Sequence, residues 1–186
     1  MNFIRHSELM DEHAFLGASK YSWLKYDDAR LMEVYRNAQA VQRGTELHDF
    51  AKRCIDLNIK LPKVRKTLNM YVNDALHYKL TPEQPLYFSR NCFGTADAIS
   101  FDEEERFLRI HDLKTGSKKA QIDQLQIYAA LFCLEYNQHP DRLGMELRIY
   151  QNDEILVNNP NADRIAEIMR KIIHFDEVIE KMKLEE

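Results

Sequence analysis

Apolar positions recur every three or four residues from about 27 to 79, shift to strand-like patterning from Pro82 to Lys114, and afterwards show helical spacing on either side of two further strand-like runs. From about 27 to 58, Leu31, Val34 and Tyr35 and then Leu47, Phe50, Ala51, Cys54 and Ile55 mark one face of a helix. Asp27 or Asp28 supplies its N-cap. "LPK" at 61–63 is expected to end it, because the residue before a proline resists the helical region. Residues 66–79 predict a second helix with Leu68, Tyr71, Val72 and Ala75 facing inward.

Beyond Pro82, "PLYFSR", "CFGTADAISFD" and "RFLRIHDLK" read as three successive strands, the last two joined by the acidic turn "DEEE". A helix over 118–138 follows, with Ile122, Leu125, Ala129, Phe132 and Tyr136 on one face. "GMELRIYQ" and "EILVNN" are two more strands around a turn at Asn152-Asp153. The segment from Asn161 onward is a periodic helix through Ile165, Ile168, Met169, Ile172, Phe175, Ile179 and Met182. Helices, three strands, helix, two strands, helix is a mixed α/β (α+β) order, not strict βα alternation. With no linker or repeat, residues 1–186 read as one domain. It has a helical part to about 80, a core over about 81–160 and a final helix over about 161–183.

Composition narrows the class. Apolar residues make up 45% and charged residues 30%, which excludes disorder. No run approaches a membrane span, and "MNFIRHSELMDEH" lacks the apolar core of a signal peptide. The expectation is a cytoplasmic protein with no membrane partner. Cys54, Cys92 and Cys133 are isolated, so disulfides, a zinc ribbon and a four-cysteine iron–sulfur cluster are not expected. No G-x-x-x-x-G-K-[ST] exists, so no nucleotide cofactor is expected. A net charge of -4 leaves nucleic-acid binding to a local patch. The candidates are "KLPKVRK" (60–66) and "KTGSKK" (114–119).

The chemistry concentrates around "FLRIHDLKTG". In a strand, Asp112 and Lys114 point to the same side. Such a pair at a sheet end is an idle ion pair, surface alternation, or a site where the carboxylate holds a cation. Asp97, inside the apolar strand before it, tilts this choice: if the two strands pair, Asp97 lies beside Asp112. Two adjacent carboxylates repel and raise each other's pKa. A bound magnesium or manganese ion keeps both ionised. Gly94 permits close approach. Gln124 and Tyr128, four apart on the next helix, share a face. His48, beside the stripe of the first long helix, suits such a site when carboxylates are present.

Gly44-x-x-x-His48, Gly94-Thr95-Ala96-Asp97, Asp112-Leu113-Lys114-Thr115-Gly116 and Gln124-x-x-x-Tyr128 resemble, in this order, the motifs of RecB-type nucleases. These belong to the PD-(D/E)XK superfamily, with the CRISPR-associated RecB-like and lambda-type exonucleases. The motifs span residues 44–128. The resemblance implies a restriction-endonuclease-like core with a central mixed sheet of about five strands. It implies a Mg2+ or Mn2+ ion held by His48, Asp97, Asp112 and the backbone carbonyl of Leu113. Catalysis would fall to Asp97, Asp112 and Lys114, with support from Gln124, Tyr128 and Glu83, the last just before the first strand.

The chain departs from cluster-bearing members in lacking four cysteines, and it carries no helicase motif. It resembles small stand-alone phage or mobile-element enzymes. The expected activity is metal-dependent hydrolysis of DNA, as an exonuclease on ends, in recombination, repair or phage DNA processing. Lys118 and Lys119 would touch DNA, and a recombination or replication protein would be a partner. The cell would be prokaryotic or a phage-infected host. Two other readings compete: a DNA-binding or protein-interaction module that keeps the fold without catalysis, and a structural domain whose rim charges merely pair.

Overall fold

The computed structural model describes residues 14–116 and 118–185. The described residues divide into two compact units, with the boundary between Arg43 and Gly44. In the first, Ala18–Lys25 forms a 3-10 segment that the sequence pattern did not suggest. It is followed by the start of α1 (Asp28–Asp56), where Asp27 Oδ1 accepts the Arg30 N–H as an N-cap. Phe15 and Tyr35 meet edge to face at 5.1 Å.

The second unit is a five-stranded mixed sheet with helices on both faces. Its strands are β1 (Thr81–Ser89), β2 (Cys92–Asp102), β3 (Phe107–Leu113), β4 (Gly144–Gln151) and β5 (Glu154–Asn158), hydrogen-bonded in that order. All neighbours are antiparallel except β3 and β4, which run parallel and need a crossover. The crossover carries α3 (Asp123–Glu135) and a short 3-10 turn at Pro140–Arg142. The chain ends in α4 (Ala162–Glu185). Among the described residues no helix is long and apolar enough to cross a membrane.

One sheet face packs on α3 and α4 through Leu108, Ile110, Leu125, Ala129, Leu147 and Ile165. The other packs on the end of α1 and on α2 (Thr67–His77) through Ala51, Cys54, Val72, Ala75, Leu113 and Tyr150. Residues two apart on β3 fall on the same side, as strand geometry requires. Leu47 and Phe50, expected in the α1 stripe, are exposed at 38% and 47%, and Tyr136 at 48%. Tyr136 lies just past the end of α3, at its C-cap.

Helices end differently from the sequence reading. Proline does not stop α1. Asn58 takes a left-handed conformation (φ 53°), and the Ile59 N–H donates to the Cys54 carbonyl at 2.8 Å. This left-handed cap satisfies the last carbonyls before Pro62 is reached. Lys79 and Asn137 close α2 and α3 the same way, through Leu80 N–H to Ala75 and Gln138 N–H to Cys133. The crossover helix also starts later than 118. The Gln151 side chain bonds the carbonyls of Gly116 and Lys118 and the N–H of Ala120, holding this backbone out of a helix.

Beneath the sheet lies a polar network. Arg148, 14% exposed, donates to Asp74, Glu146 and the Tyr78 hydroxyl. The Tyr150 hydroxyl donates to Asp74 at 2.7 Å and lies 3.2 Å from Nδ1 of fully buried His111. Burial and the guanidinium groups of Arg148 and Arg109 push His111 down to about 3, so its ring is neutral.

Candidate metal centre

The site forms where β2 stops following its partner. Ala98 pairs with His111, and the β2–β3 ladder ends there. Extending that register by one residue sets Asp97 opposite Asp112. Instead of continuing the ladder, Asp97 uses its side chain: Oδ2 accepts the backbone N–H of Leu113 at 2.8 Å. The face alternation of β2 slips at this point. Ala96 and Ile99 lie in the α3/α4 core, whereas Ala98 lies in the α1/α2 core. A regular strand would put Ala96 and Ala98 together.

β1 is irregular at the matching place. Pro82 pairs with Ala98 and Gln84 with Ala96, so Glu83 faces Asp97. Glu83 adopts φ 51°, a left-handed conformation uncommon for a side-chain-bearing residue in a strand. It is the third residue of β1, not a residue before the first strand as the sequence suggested. Ligand atoms of Glu83, Asp97 and His48 lie within 4.8 Å of one another. His48 Nδ1 is 3.5 Å from Asp97 Oδ2.

Asp112 stands outside this triple. Its Oδ1 accepts Lys114 Nζ at 3.0 Å, and its Oδ2 is buried without a hydrogen-bond partner. Lys114 also donates to Gln124 Oε1 at 2.9 Å, and Gln124 Nε2 donates to the Tyr128 hydroxyl at 3.1 Å. Gln124 and Tyr128, one helical turn apart on α3, therefore fix the ammonium. Gly94 sits beneath Tyr128: a Cβ there would come within 2.9 Å of the ring. Gly44 is likewise crowded, since a Cβ would stand 2.8 Å from Thr115 Oγ1, where α1 meets the segment after Lys114. The resemblance gives Leu113 a role through its carbonyl; in the structure its N–H positions Asp97.

The electrostatics follow from burial. Desolvation, then the Asp112 charge, push Asp97 up to about 6 against the opposing pull of His48, the Leu113 N–H and Lys114. Burial also raises Asp112, although Lys114 and His48 oppose it. Tyr71 belongs with the site as well. Burial and the charges of Asp97, Glu83 and Asp112 hold its phenol well above the ordinary range, so it stays a neutral donor. Its helical spacing marked it only as a core residue of α2, and no sequence signal separates the two roles.

Lys118 and Lys119 are exposed on the Gln151-pinned loop. The other basic cluster is partly engaged: Lys66 pairs with Asp153 at 2.8 Å, and Arg65 donates to the Asp153 carbonyl. Its end is thus fastened to the β4–β5 turn.

One imidazole, two carboxylates beside it and a third with a free buried oxygen make a donor set suited to a divalent cation of the magnesium or manganese type. A cation would restore the ionised state that burial opposes at Asp97. The arrangement defines a mixed α/β protein with an acidic–imidazole centre at the carboxyl end of its parallel strand pair. No family model, curated protein or solved structure matches the chain.

Proposed function

We propose that the protein is a metal-dependent deoxyribonuclease of the RecB type in the PD-(D/E)XK superfamily, acting on DNA ends. The observation that carries this reading is the convergence of four separated motifs on one spot. Asp97 and Asp112 come from neighbouring strands, His48 from α1, and Lys114 is braced by Gln124. An idle rim ion pair needs only Asp112 and Lys114; it does not explain a buried carboxylate oxygen left open or a second carboxylate turned to meet an imidazole.

His48, Glu83 and Asp97 would hold Mg2+ or Mn2+, with Asp112 adjoining. Bound there, the ion supplies an acidified water and a Lewis acid for the phosphate. Lys114 keeps its ammonium aimed by two acceptors, so it can donate to a phosphate oxygen as negative charge grows on it. Asp97, rigidly oriented by the Leu113 N–H, offers its remaining lone pairs inward. Lys118 and Lys119 extend positive charge from the same loop along which a DNA backbone would track, making binding strongly salt-sensitive.

The test is incubation of the purified protein with end-labelled linear DNA and closed circular DNA in Mg2+, Mn2+ or EDTA. Loss of label from linear DNA only, abolished by EDTA, is the expected result. Intact linear DNA in Mn2+, with binding retained in EDTA, instead identifies a non-catalytic DNA-binding module.

A further inference from the structure

The last helix carries an apolar seam that outruns the core beneath it. Ile165, Ile168, Ile172, Phe175, Ile179 and Met182 follow at alternating steps of three and four, the spacing of a two-helix seam. Ile165 is fully buried, and Ile168 and Ile172 pack in part on the core. Phe175, Ile179 and Met182 are 52%, 38% and 60% exposed. With Ile127 of α3, the seam lines an open groove of about 400 Å³. Exposed large apolar side chains scattered singly need no explanation; a continuous stripe with coiled-coil spacing does.

The charges on α4 say what covers it. Residues 164–171 carry three cations and one anion, and residues 176–185 carry four anions and two cations. The macrodipole does not account for this ordering, because it acts only in the first and last turns, where Asp163 and Lys183 already sit. Within the chain Arg164 pairs with Asp123 and Glu167, and Asp176 and Glu180 accept from Asn91, which leaves Arg170, Lys171 and Glu177 to meet a partner. A second α4 laid parallel would set like halves together. Laid antiparallel, it sets the cationic half of each against the anionic half of the other. An antiparallel pair of identical helices also closes on itself about a two-fold axis. We propose that this face docks a second copy of the chain, α4 against α4 in antiparallel orientation, with Phe175 and Ile172 at the centre. The proposal is independent of the nuclease reading.

Sedimentation of the full chain from micromolar to near-millimolar concentration tests it. The expected result is a reversible dimer. Phe175→Glu and, separately, Met182→Glu replace exposed side chains and should raise the dimer dissociation constant by ~10–100-fold, with unchanged circular dichroism. Lys171→Glu, which makes the cationic half repel its counterpart, should weaken the dimer as well. A wild-type chain that stays monomeric over the whole range overturns the proposal. So does a dimer indifferent to both seam variants, or one indifferent to Lys171→Glu.

Discussion

The carboxylate of Asp97 occupies the place on Leu113 that a strand backbone would otherwise take, accepting its N–H at 2.8 Å. One hydrogen bond thus ends the β2–β3 ladder and aims a half-buried acid at His48. The centre depends on that local break in sheet regularity, and its behaviour can be tested group by group.

Asp97 gives a pH dependence with a definite sign. Its folded-state pKa, about 6, lies above its unfolded value, so the folded chain takes up the proton first. Metal-free protein therefore loses stability at this group as pH rises from about 4 to about 6, with no further loss above. Burial drives Asp112 in the same direction. In EDTA, Asp97→Asn should melt higher than wild type above pH 6 and show a shallower fall of Tm between pH 4 and 6. Mn2+ competes with the proton, so its affinity should climb over the same window. Parallel melting curves for wild type and variant in EDTA would contradict the burial assigned to this acid.

Glu83 is the residue whose membership of the centre depends on its left-handed backbone. Glu83→Gln removes a charge and leaves the shape. Mn2+ affinity, measured by the rise in Tm with added metal, should fall ~10–100-fold, as for Asp97→Asn. Unchanged affinity would remove Glu83 from the ligand set and leave its φ of 51° without a function.

On the proposed function, Lys114 is where metal binding and turnover come apart. Lys114→Met removes a cation beside Asp112, so Mn2+ should bind at least as tightly while the cleavage rate falls ~10²–10⁴-fold. Gly94→Ala tests the support behind it. The added methyl displaces Tyr128, loosens Gln124 and frees the ammonium, with an expected rate loss of up to about 10²-fold. Circular dichroism should be unchanged in both. A Gly94→Ala variant that cleaves at the full wild-type rate would show that Tyr128 holds nothing the proposed chemistry needs.

Arg148 belongs to structure and not to turnover. Its guanidinium binds Asp74, Glu146 and Tyr78 under the sheet, and Arg148→Met leaves Asp74 with the Tyr150 hydroxyl and Glu146 with Arg109 as their remaining partners. Urea denaturation should register a loss of about 1.5–3 kcal/mol, since both acids are partly exposed and keep a second partner. Mn2+ affinity of the folded fraction should stay the same.

The sequence by itself determined the order and kind of the main elements. Helical spacing in α2 and α4, alternation in β2 and β3, and the turn at Asn152-Asp153 are local patterns, and burial of one face follows from them. It also placed Asp97, Asp112 and Lys114 among the residues worth weighing, because charged groups in or beside apolar strands are costly unless partnered, and His48, Gln124 and Tyr128 through their helical spacing and the motif resemblance. Tertiary structure decided the rest. That α1 ends at Asp56 and not at Pro62 depends on a left-handed cap at Asn58 that many polar residues can form. That α3 begins at Asp123 depends on Gln151, a residue from another strand. That Glu83 meets His48 and Asp97, while Asp112 turns to Lys114, depends on a slip in strand alternation. Periodicity cannot encode such a slip, because it arises only when three strands and a helix compete for the same hydrogen bonds.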